Sequence, residues 1–314
     1  MPLEPTPATF RNPFARYFAA TRPAFLTASL MAGLIGLAIV WHDRQTLDVP
    51  LALLTLLFAV LAHAGANVLN DYYDAQNGTD ACNVERIFPF TGGSRFIQNG
   101  VLSEIQTRNF GFALFGCVAI AGVWLMLRTE LQLIYIGLGG LVIGWAYSAP
   151  PLRLNSRGLG ELCIAAGFLL IIVGADFVQR SAFSAAPLVA GFSYALLAAN
   201  LLYINQFPDR SADIAAGKLH WVARLEVAQA RWGYVLIVTL AYGWLLTSVF
   251  VGWLHGLSLL ALLALPLSVQ AARLLVRYAA QPQKLGGAIV LTIGAMLAHG
   301  ALLSLSLILS KANL

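Results

Sequence analysis

Long apolar runs alternate with short polar connections along most of this chain. The runs lie at residues 24–41, 51–73, 108–127, 131–147, 159–177, 187–206, 230–252, 256–276 and 286–310. Many are close to the roughly 20 residues that an α-helix needs to cross a bilayer, and they lack the strict alternation of membrane β-strands. The pattern therefore predicts an all-α, polytopic membrane protein with about nine transmembrane helices.

The composition supports one membrane-embedded unit. Of the 314 residues, 59% are hydrophobic and 11% are charged, whereas a soluble domain carries roughly a quarter charged residues. No long polar segment separates the apolar runs, which predicts a single integral membrane domain over residues 1–314. Residues 1–22 would form a tail, and residues 74–107 and 207–229 would form the two main polar loops.

The basic residues predict an orientation. The net charge is +5, and fifteen of the nineteen Lys and Arg residues fall in the tail and in the loops after the second, fourth, sixth and eighth runs. Basic residues of membrane proteins accumulate on the cytoplasmic side, so this excess reports topology and does not predict nucleic-acid binding. We expect the N-terminus and both main loops in the cytoplasm and the C-terminus outside.

Two polar stretches of the same form follow apolar runs. The first begins directly after Leu69 and the second directly after Ile204, and together they hold five of the fourteen acidic residues. In each stretch an Asp follows the initial Asn by four residues, a spacing that places both side chains on one helical face. The candidate ligands are Asn70, Asp71, Asp74 and Asp80 in the first stretch and Asn205, Asp209 and Asp213 in the second.

Gly78 is expected to end the first of these helices. A glycine at the end of a helix lets the chain reverse, so Asp80 could turn back toward Asn70 and Asp74. Asp71 lies about 100° around the helix from Asn70 and could face elsewhere.

Because of Pro208, the sequence does not decide whether the second stretch is helical to its end. Proline removes one backbone hydrogen bond and can kink or end a helix. If the helix continues past Pro208, then Asn205, Asp209 and Asp213 lie on one stripe. If the helix breaks, Asp213 belongs to the following loop.

Such a set of oxygen ligands points to Mg²⁺, and Mg²⁺ in turn points to a phosphate-bearing substrate. Converging carboxylates repel one another without a cation, and two bound ions could clamp a diphosphate and neutralise it as a leaving group. Any single acid could instead cap a helix or face water, but the matched pair favours metal–phosphate chemistry. The nearby basic residues that could contact phosphate are Arg86, Arg95, Arg153 and Lys218.

A secondary transporter that binds a coupling cation is the rival class. Transporter ion sites lie near the bilayer midplane on interrupted helices. Here the acids lie at the predicted cytoplasmic ends of the helices, and a basic loop follows each stretch. This placement favours phosphate chemistry over ion-coupled transport.

The two stretches resemble the Asp-rich motifs of the UbiA superfamily of membrane prenyltransferases. Gly78, two residues before Asp80, makes the first motif most similar to the 1,4-dihydroxy-2-naphthoate prenyltransferase branch. Other matching segments are Thr91-Gly92-Gly93-Ser94-Arg95, Tyr147-Ser148-Ala149-Pro150-Pro151-Leu152 and Ala216-Gly217-Lys218. The resemblance covers most of the chain and implies a helical bundle around a central cavity in which the two motifs face each other.

The resemblance also implies a role for each motif residue. Asn70, Asp74 and Asp80 would bind one Mg²⁺, and Asn205, Asp209 and Asp213 would bind another. Arg95 and Lys218 would contact the diphosphate. We therefore expect Asp74, Asp209, Lys218 and Tyr147 to act in catalysis, with Asp71 as a further possible ligand.

Tyr147 and Glu161 each have two interpretations. By resemblance, Tyr147 lies near the allylic carbon, where an aromatic face can stabilise a carbocation, but it could equally belong to an interfacial aromatic belt. Glu161 could orient the acceptor or cap the start of the fifth helix.

Three positions depart from the branch. His220 and Trp221 stand where the branch usually has a small hydroxyl residue after its Lys, and Glu226 replaces a common Gly. These differences affect the choice of acceptor more than the chemistry. His220 is otherwise expected to be a solvated loop residue.

The resemblance implies transfer of an isoprenoid chain from an allylic diphosphate to an aromatic acceptor. The favoured acceptor is 1,4-dihydroxy-2-naphthoate, in menaquinone-type quinone synthesis, and the alternative is another aromatic acid such as 4-hydroxybenzoate. We expect Mg²⁺ as cofactor, the two substrates and the lipid bilayer as partners, no obligate protein partner, and a bacterial cytoplasmic (inner) membrane as location.

Overall fold

The computed structural model describes residues 4–44 and 46–310, and this part of the chain is helical, without β-strands. A 3₁₀ helix, Gly256–Ala264, leads directly into the eleventh α-helix. The α-helices are α1 (Pro13–Ala20), α2 (Pro23–Arg44), α3 (Val49–Asn77), α4 (Thr79–Cys82), α5 (Glu104–Arg128), α6 (Leu133–Ala146), α7 (Gly160–Arg180), α8 (Ala186–Ala215), α9 (Trp221–Arg224), α10 (Val227–Phe250), α11 (Leu265–Tyr278) and α12 (Gly286–Leu309).

The predicted all-α membrane fold is confirmed. Within residues 4–44 and 46–310, eight helices are long and apolar enough to cross a membrane, counting the 3₁₀ segment with α11. The predicted span at 131–147 is α6, which has 14 residues and is shorter than a usual crossing. α6 ends before Pro150 and Pro151 because a residue that precedes proline disfavours the α conformation. The predicted number of nine membrane helices is therefore approximate, because the described residues contain eight long helices and the short helix α6.

The long helices close into a ring. Consecutive helices pack side by side in the order α2, α3, α5, α6, α7, α8, α10, α11 and α12, and α12 packs back against α2. α2 also packs against α7 and α8, and α8 packs against α12. α2 and α8 therefore each contact four other helices of the ring.

The core of the ring is apolar and contains a hydrogen-bonded tyrosine. Ile35, Ile172 and Tyr194 are buried where α2, α7 and α8 meet. The Tyr194 hydroxyl donates to the carbonyl of Ala28 over 2.8 Å, since a buried Tyr needs a hydrogen-bond partner. These contacts fix α2 against α8, the helix that carries the second motif.

The two predicted polar loops are partly helical. In the first, residues 74–107, α3 continues to Asn77 and the short helix α4 follows. In the second, residues 207–229, the sequence left open whether the helix continues past Pro208. The structure shows that α8 continues to Ala215, and α9 and the start of α10 follow. The tail of residues 1–22 contains α1. Residues 1–3 and 311–314 lie outside the described residues.

Candidate active site

The end of α3 presents the first motif as the sequence predicts. The Asn70 side-chain amide donates to Asp74 Oδ2 over 3.2 Å and to the Ser148 hydroxyl over 2.7 Å. Gly78 ends α3 with a φ of 80°, a left-handed conformation that glycine adopts readily. The chain then turns into α4, which carries the buried Asp80.

The loop that follows α4 closes over the first motif. Its Ser94 amide donates to the two carboxylate oxygens of Asp71 over 3.3 and 3.2 Å. A Cβ added at Gly93 would lie 2.4 Å from Asp80 Oδ2 and 3.1 Å from Asp71 Oδ1. Asp71 therefore faces this loop rather than Asn70, and Gly93 is where the backbone passes between two carboxylates.

The second motif lies on one stripe of α8. Because α8 continues through Pro208, Asn205, Asp209 and Asp213 recur every four residues on a single helix. Asp209 Oδ1 accepts from the side-chain amide of Asn83 over 2.5 Å, and Oδ2 accepts from the Gly92 amide over 3.3 Å. The loop that contacts the first motif thus also holds the second.

Lys218 joins the two motifs directly. Its Nζ lies 2.7 Å from Asp74 Oδ1 and 3.5 Å from Asp213 Oδ1. Burial alone would lower the pKa of Lys218, but the charges of Asp74 and Asp213 outweigh it and raise the pKa above its usual value. The ammonium group is therefore charged, and the predicted meeting of the two motifs is present in the structure.

The oxygen atoms at this place suit a hard divalent cation. Burial, and then the charges of Asp74 and Asp71, raise the pKa of Asp80 well above its ordinary value. Asp80 Oδ2 and Asn205 Oδ1 are buried and have no hydrogen-bond partner among the described residues. Carboxylate and amide oxygens without donors are ligands that Mg²⁺ accepts, so the residues present fit such an ion.

The carboxylates are nevertheless spread out. In the part of the chain that the structure describes, no three His, Cys, Asp or Glu side chains are close enough together to hold one metal ion. Mg²⁺ commonly takes one or two carboxylates and completes its coordination with water and phosphate oxygens. The arrangement therefore leaves coordination positions that a phosphate could fill.

Arg86 and Arg95 bind a carboxylate of the N-terminal tail. Arg86 Nη2 lies 2.6 Å from Glu4 Oε1, and Arg95 Nε lies 3.8 Å from Glu4 Oε2. The Asn99 side-chain amide donates to Glu4 Oε2 over 3.2 Å. Arg95 also donates to the backbone carbonyl of Asp80. The two predicted phosphate-binding arginines thus converge on one anionic group beside the first motif.

The remaining predicted residues lie around the α6–α7 connection. Tyr147 directly follows α6 and is half-buried, and Arg153 is exposed with a φ of 43°. Arg153 makes no side-chain hydrogen bond or ion pair within residues 4–44 and 46–310, so the structure does not bring it to the acids. Glu161, near the start of α7, accepts through Oε1 from the Gln206 amide over 2.7 Å.

Sequence reasoning missed three residues of this region. Asn83 holds Asp209, and Arg22 donates to the carbonyl of Phe90 over 3.3 Å. His220 was expected to be solvated, but it is buried and contacts Asp213. The unusual polar pair Lys218 and His220, close behind the second motif, was the one signal that could have identified His220.

A cavity opens beside the closing loop. It has a volume of about 470 Å³ and lies between the N-terminal segment, the loop before Phe96, and α12. Its wall is mostly apolar and aromatic, with Arg22 as its charged side chain among the described residues and with Gly93 and Ser94 at the side of the acids. The cavity therefore offers an apolar space next to the polar centre.

Substitution of Gly93 by Ala is expected to disturb both carboxylates that flank it. The new Cβ would approach Asp80 Oδ2 to 2.4 Å at a φ of 70°, so one carboxylate or the loop must move. We expect a destabilisation of about 1–3 kcal/mol, measured by thermal unfolding. Gly100→Ala is the matched control, since Gly100 has a φ of 68° and open space around it. Equal effects of the two changes would contradict close contact at Gly93.

A closed ring of membrane helices, with two Asn/Asp motifs that meet through a lysine at one end, defines a class of polytopic membrane enzymes. The profile of the UbiA prenyltransferase family matches residues 29–293. The chain therefore belongs to the UbiA prenyltransferase family, as its motifs predicted, and is an integral membrane protein.

Known relatives agree with this assignment. The 1,4-dihydroxy-2-naphthoate octaprenyltransferase of Escherichia coli is 28% identical over 275 residues, covering 83% of this chain and 85% of the relative. The 2-carboxy-1,4-naphthoquinone phytyltransferase of Synechocystis is 26% identical over 284 residues, covering 90% and 89%. The resemblance to the naphthoate branch is thereby confirmed.

Solved structures confirm the fold. A UbiA homolog from Archaeoglobus fulgidus, bound to DMAPP and Mg²⁺, superposes with a TM-score of 0.62 at 16% identity and covers 92% of this chain and 99% of that one. At this identity the likeness concerns the arrangement of helices. It shows that the ring described above is the UbiA fold.

Proposed function

We propose that this prenyltransferase moves an isoprenoid chain from an allylic diphosphate to 1,4-dihydroxy-2-naphthoate. The observation that carries the proposal is Lys218, which bridges Asp74 and Asp213 at 2.7 and 3.5 Å. This contact supports the proposal, because one side chain reaches both motifs. The naphthoate acceptor is supported by relatives that are named for naphthoate substrates.

We propose that the acids hold divalent cations for the diphosphate. Asn70, Asp74 and Asp80 would form one ligand group, and Asn205, Asp209 and Asp213 would form the other. When bound, Mg²⁺ supplies positive charge that neutralises the diphosphate. The contacts of Asp71 with the closing loop suggest that it supports the loop.

The reaction breaks the bond between the allylic carbon and the diphosphate oxygen. Lys218 and the two arginines, Arg86 and Arg95, would stabilise the negative charge that develops on that oxygen. The face of Tyr147 would stabilise the positive charge left on the allylic carbon. The ring carbon that bears the carboxylate of the acceptor then forms the new bond to the allylic carbon. The bond from that ring carbon to the carboxylate breaks, and release of CO₂ restores the aromatic ring.

The prenyl tail and the acceptor need separate surroundings. The apolar lining of the 470 Å³ cavity would suit hydrophobic parts of a substrate, because it removes them from water. Glu161 and Gln206 could orient the polar edge of the acceptor. Mass analysis of products from a labelled allylic diphosphate and a panel of aromatic acids tests the acceptor, and a product from 4-hydroxybenzoate alone would contradict the naphthoate assignment.

Joint stabilisation by Mg²⁺ and an allylic diphosphate is the expected signature of the site. A ligand that binds the native state at 100 times its Kd stabilises it by about 2.7 kcal/mol. Thermal unfolding with each ligand alone and with both measures the effect. Stabilisation by Na⁺ alone, with no response to the diphosphate, would instead favour the transporter class and contradict the metal–phosphate site.

We propose that the chain forms a single domain in a bacterial cytoplasmic membrane. The concentration of Lys and Arg on the loops that carry the motifs supports a cytoplasmic active site, with the N-terminus on the same side and the C-terminus outside. A reporter fused to the C-terminus should be active outside the cytoplasm, and a cytoplasmic signal would overturn this topology.

Glu4→Gln is expected to lower the KM for the allylic diphosphate. Burial raises the pKa of Glu4, but hydrogen bonds from Asn99 and Arg86 outweigh it and lower the pKa. The Glu4 carboxylate is therefore ionised and pairs with Arg86 and Arg95. Removal of its charge frees Arg86 and Arg95 for phosphate. Partly exposed ion pairs contribute up to about 1 kcal/mol, which corresponds to roughly a five-fold change in KM.

Steady-state kinetics with varied diphosphate tests this expectation. Glu130→Gln is the control, because Glu130 is an exposed acid in the α5–α6 connection. A higher KM in Glu4→Gln would show that Glu4 positions the arginines instead of competing with the substrate.

A further inference from the structure

His220 lies between the second motif and the short helix α9. Its side chain is 3% exposed. The Ala223 amide donates to His220 Nδ1 over 3.1 Å, so Nδ1 carries no proton. His220 Nε2 lies 3.0 Å from Asp213 Oδ2. The ring is therefore neutral, its proton is on Nε2, and Nε2 donates to Asp213.

Asp213 is thus held from two sides. His220 engages Oδ2, while Oδ1 faces Lys218 Nζ at 3.5 Å, and the same Nζ contacts Asp74 at 2.7 Å. A continuous series of polar contacts runs from His220 through Asp213 and Lys218 to the first motif. The orientation of the Asp213 carboxylate determines which oxygen points toward Lys218.

The backbone around His220 makes this position rigid. Lys218 N donates to the carbonyl of Asp213 over 2.8 Å, and Leu219 N donates to the carbonyl of Ser156 over 3.0 Å. His220 is also the N-cap of α9. The imidazole therefore connects a fixed turn of backbone to one acid of the second motif.

We propose that His220 is a positioning residue of the active site, which fixes the Asp213 carboxylate so that Oδ1 is presented to Lys218 and to the cation that the second motif binds. The proposal rests on the proposed function, since it assigns Asp213 to that ligand group. Partners that orient a metal ligand in this way typically change metal affinity or activity by about 10- to 100-fold when removed.

Two substitutions separate this role from simple helix capping. Asn places an amide oxygen where Nδ1 stands, so His220→Asn keeps an acceptor for the Ala223 amide and loses the donor to Asp213. Gln reaches the position of Nε2, so His220→Gln keeps a donor to Asp213 and loses the cap. Each variant therefore retains one of the two hydrogen bonds that His220 makes.

Thermal unfolding at increasing Mg²⁺, in the presence of inorganic pyrophosphate, tests the proposal, together with KM and kcat for the allylic diphosphate. We expect His220→Asn to need about 10- to 100-fold more Mg²⁺ for half of the stabilisation and to lose activity in proportion. His220→Gln should retain nearly the wild-type Mg²⁺ requirement, although without ligands it should melt a few degrees lower, because it lacks the cap.

The opposite order would overturn the proposal. If His220→Asn has the wild-type Mg²⁺ requirement while His220→Gln is merely less stable, then His220 only caps α9. A wild-type protein that shows no response to Mg²⁺ and pyrophosphate and no transfer activity would contradict the proposed function itself, and with it the role of His220. The two failures are therefore distinguishable.

Discussion

Asp74→Ala is expected to lower kcat/KM for prenyl transfer by about 1,000-fold or more, while the protein still folds. Asp74 Oδ1 contacts Lys218 at 2.7 Å, and Oδ2 accepts from Asn70 at 3.2 Å. The carboxylate thus connects the end of α3 with Lys218, which follows α8. Without it, the first motif loses a carboxylate that we propose binds Mg²⁺, and it loses its contact with Lys218.

Asp74→Asn serves as the companion variant, because it keeps the shape of the side chain and removes its charge. If charge is what the site needs, then Asn and Ala should be equally inactive, and Asp209→Ala should match them. Thermal unfolding establishes that each variant is folded, and product formation from a labelled allylic diphosphate measures activity. Full turnover in either Asp74→Ala or Asp209→Ala would refute the metal-binding role of the motifs.

Lys218→Met is expected to destabilise the protein by about 3–5 kcal/mol in the absence of ligands. The Lys218 and Asp74 side chains are 10% and 9% exposed, and removing one partner of a buried ion pair leaves the other charge uncompensated. Asp74 and Asp213 would then lose the ammonium group that lies between them. Activity should fall as well, because we propose that Lys218 contacts the diphosphate.

Divalent cations should partly replace the missing charge. We therefore expect Mg²⁺ to stabilise Lys218→Met more than it stabilises the wild-type protein, as measured by thermal unfolding across a Mg²⁺ series. Lys284→Met is the control, since Lys284 is an exposed lysine near the α11–α12 connection and should change neither quantity. A Lys218→Met protein as stable as the wild type, and equally indifferent to Mg²⁺, would show that the lysine is not needed to join the motifs.

The apolar runs were sufficient to predict the helical membrane fold, because burial in lipid requires long apolar segments with internally bonded backbone. The sequence also predicted the turn at Gly78, since a left-handed residue there needs no tertiary support. The length of α6 was not predictable in this way. Its apolar composition extends over residues 131–147, but local turns at both ends shorten the helix to 14 residues.

The outcome at Pro208 shows the limit of local reasoning. Proline disfavours a helix interior, yet Pro208 is buried within α8, and tertiary packing holds the helix to Ala215. The sequence left open whether Asp213 belonged to the helix, and the structure places it there. Asn83 was out of reach for the same reason, since its contact with Asp209 depends on how distant segments pack.

The lengths of α3 and α8 have a consequence for where chemistry can occur. They contain 29 and 30 residues, or about 45 Å of helix, whereas the hydrocarbon layer is about 30 Å thick. Both helices must therefore tilt strongly or project beyond the hydrocarbon layer. Projection at the end that carries the motifs would place the acids outside that layer. A donor with an ionic headgroup and an apolar chain could then be bound with its headgroup near water and its chain in the lipid. Binding would not require the pyrophosphate group to be fully desolvated.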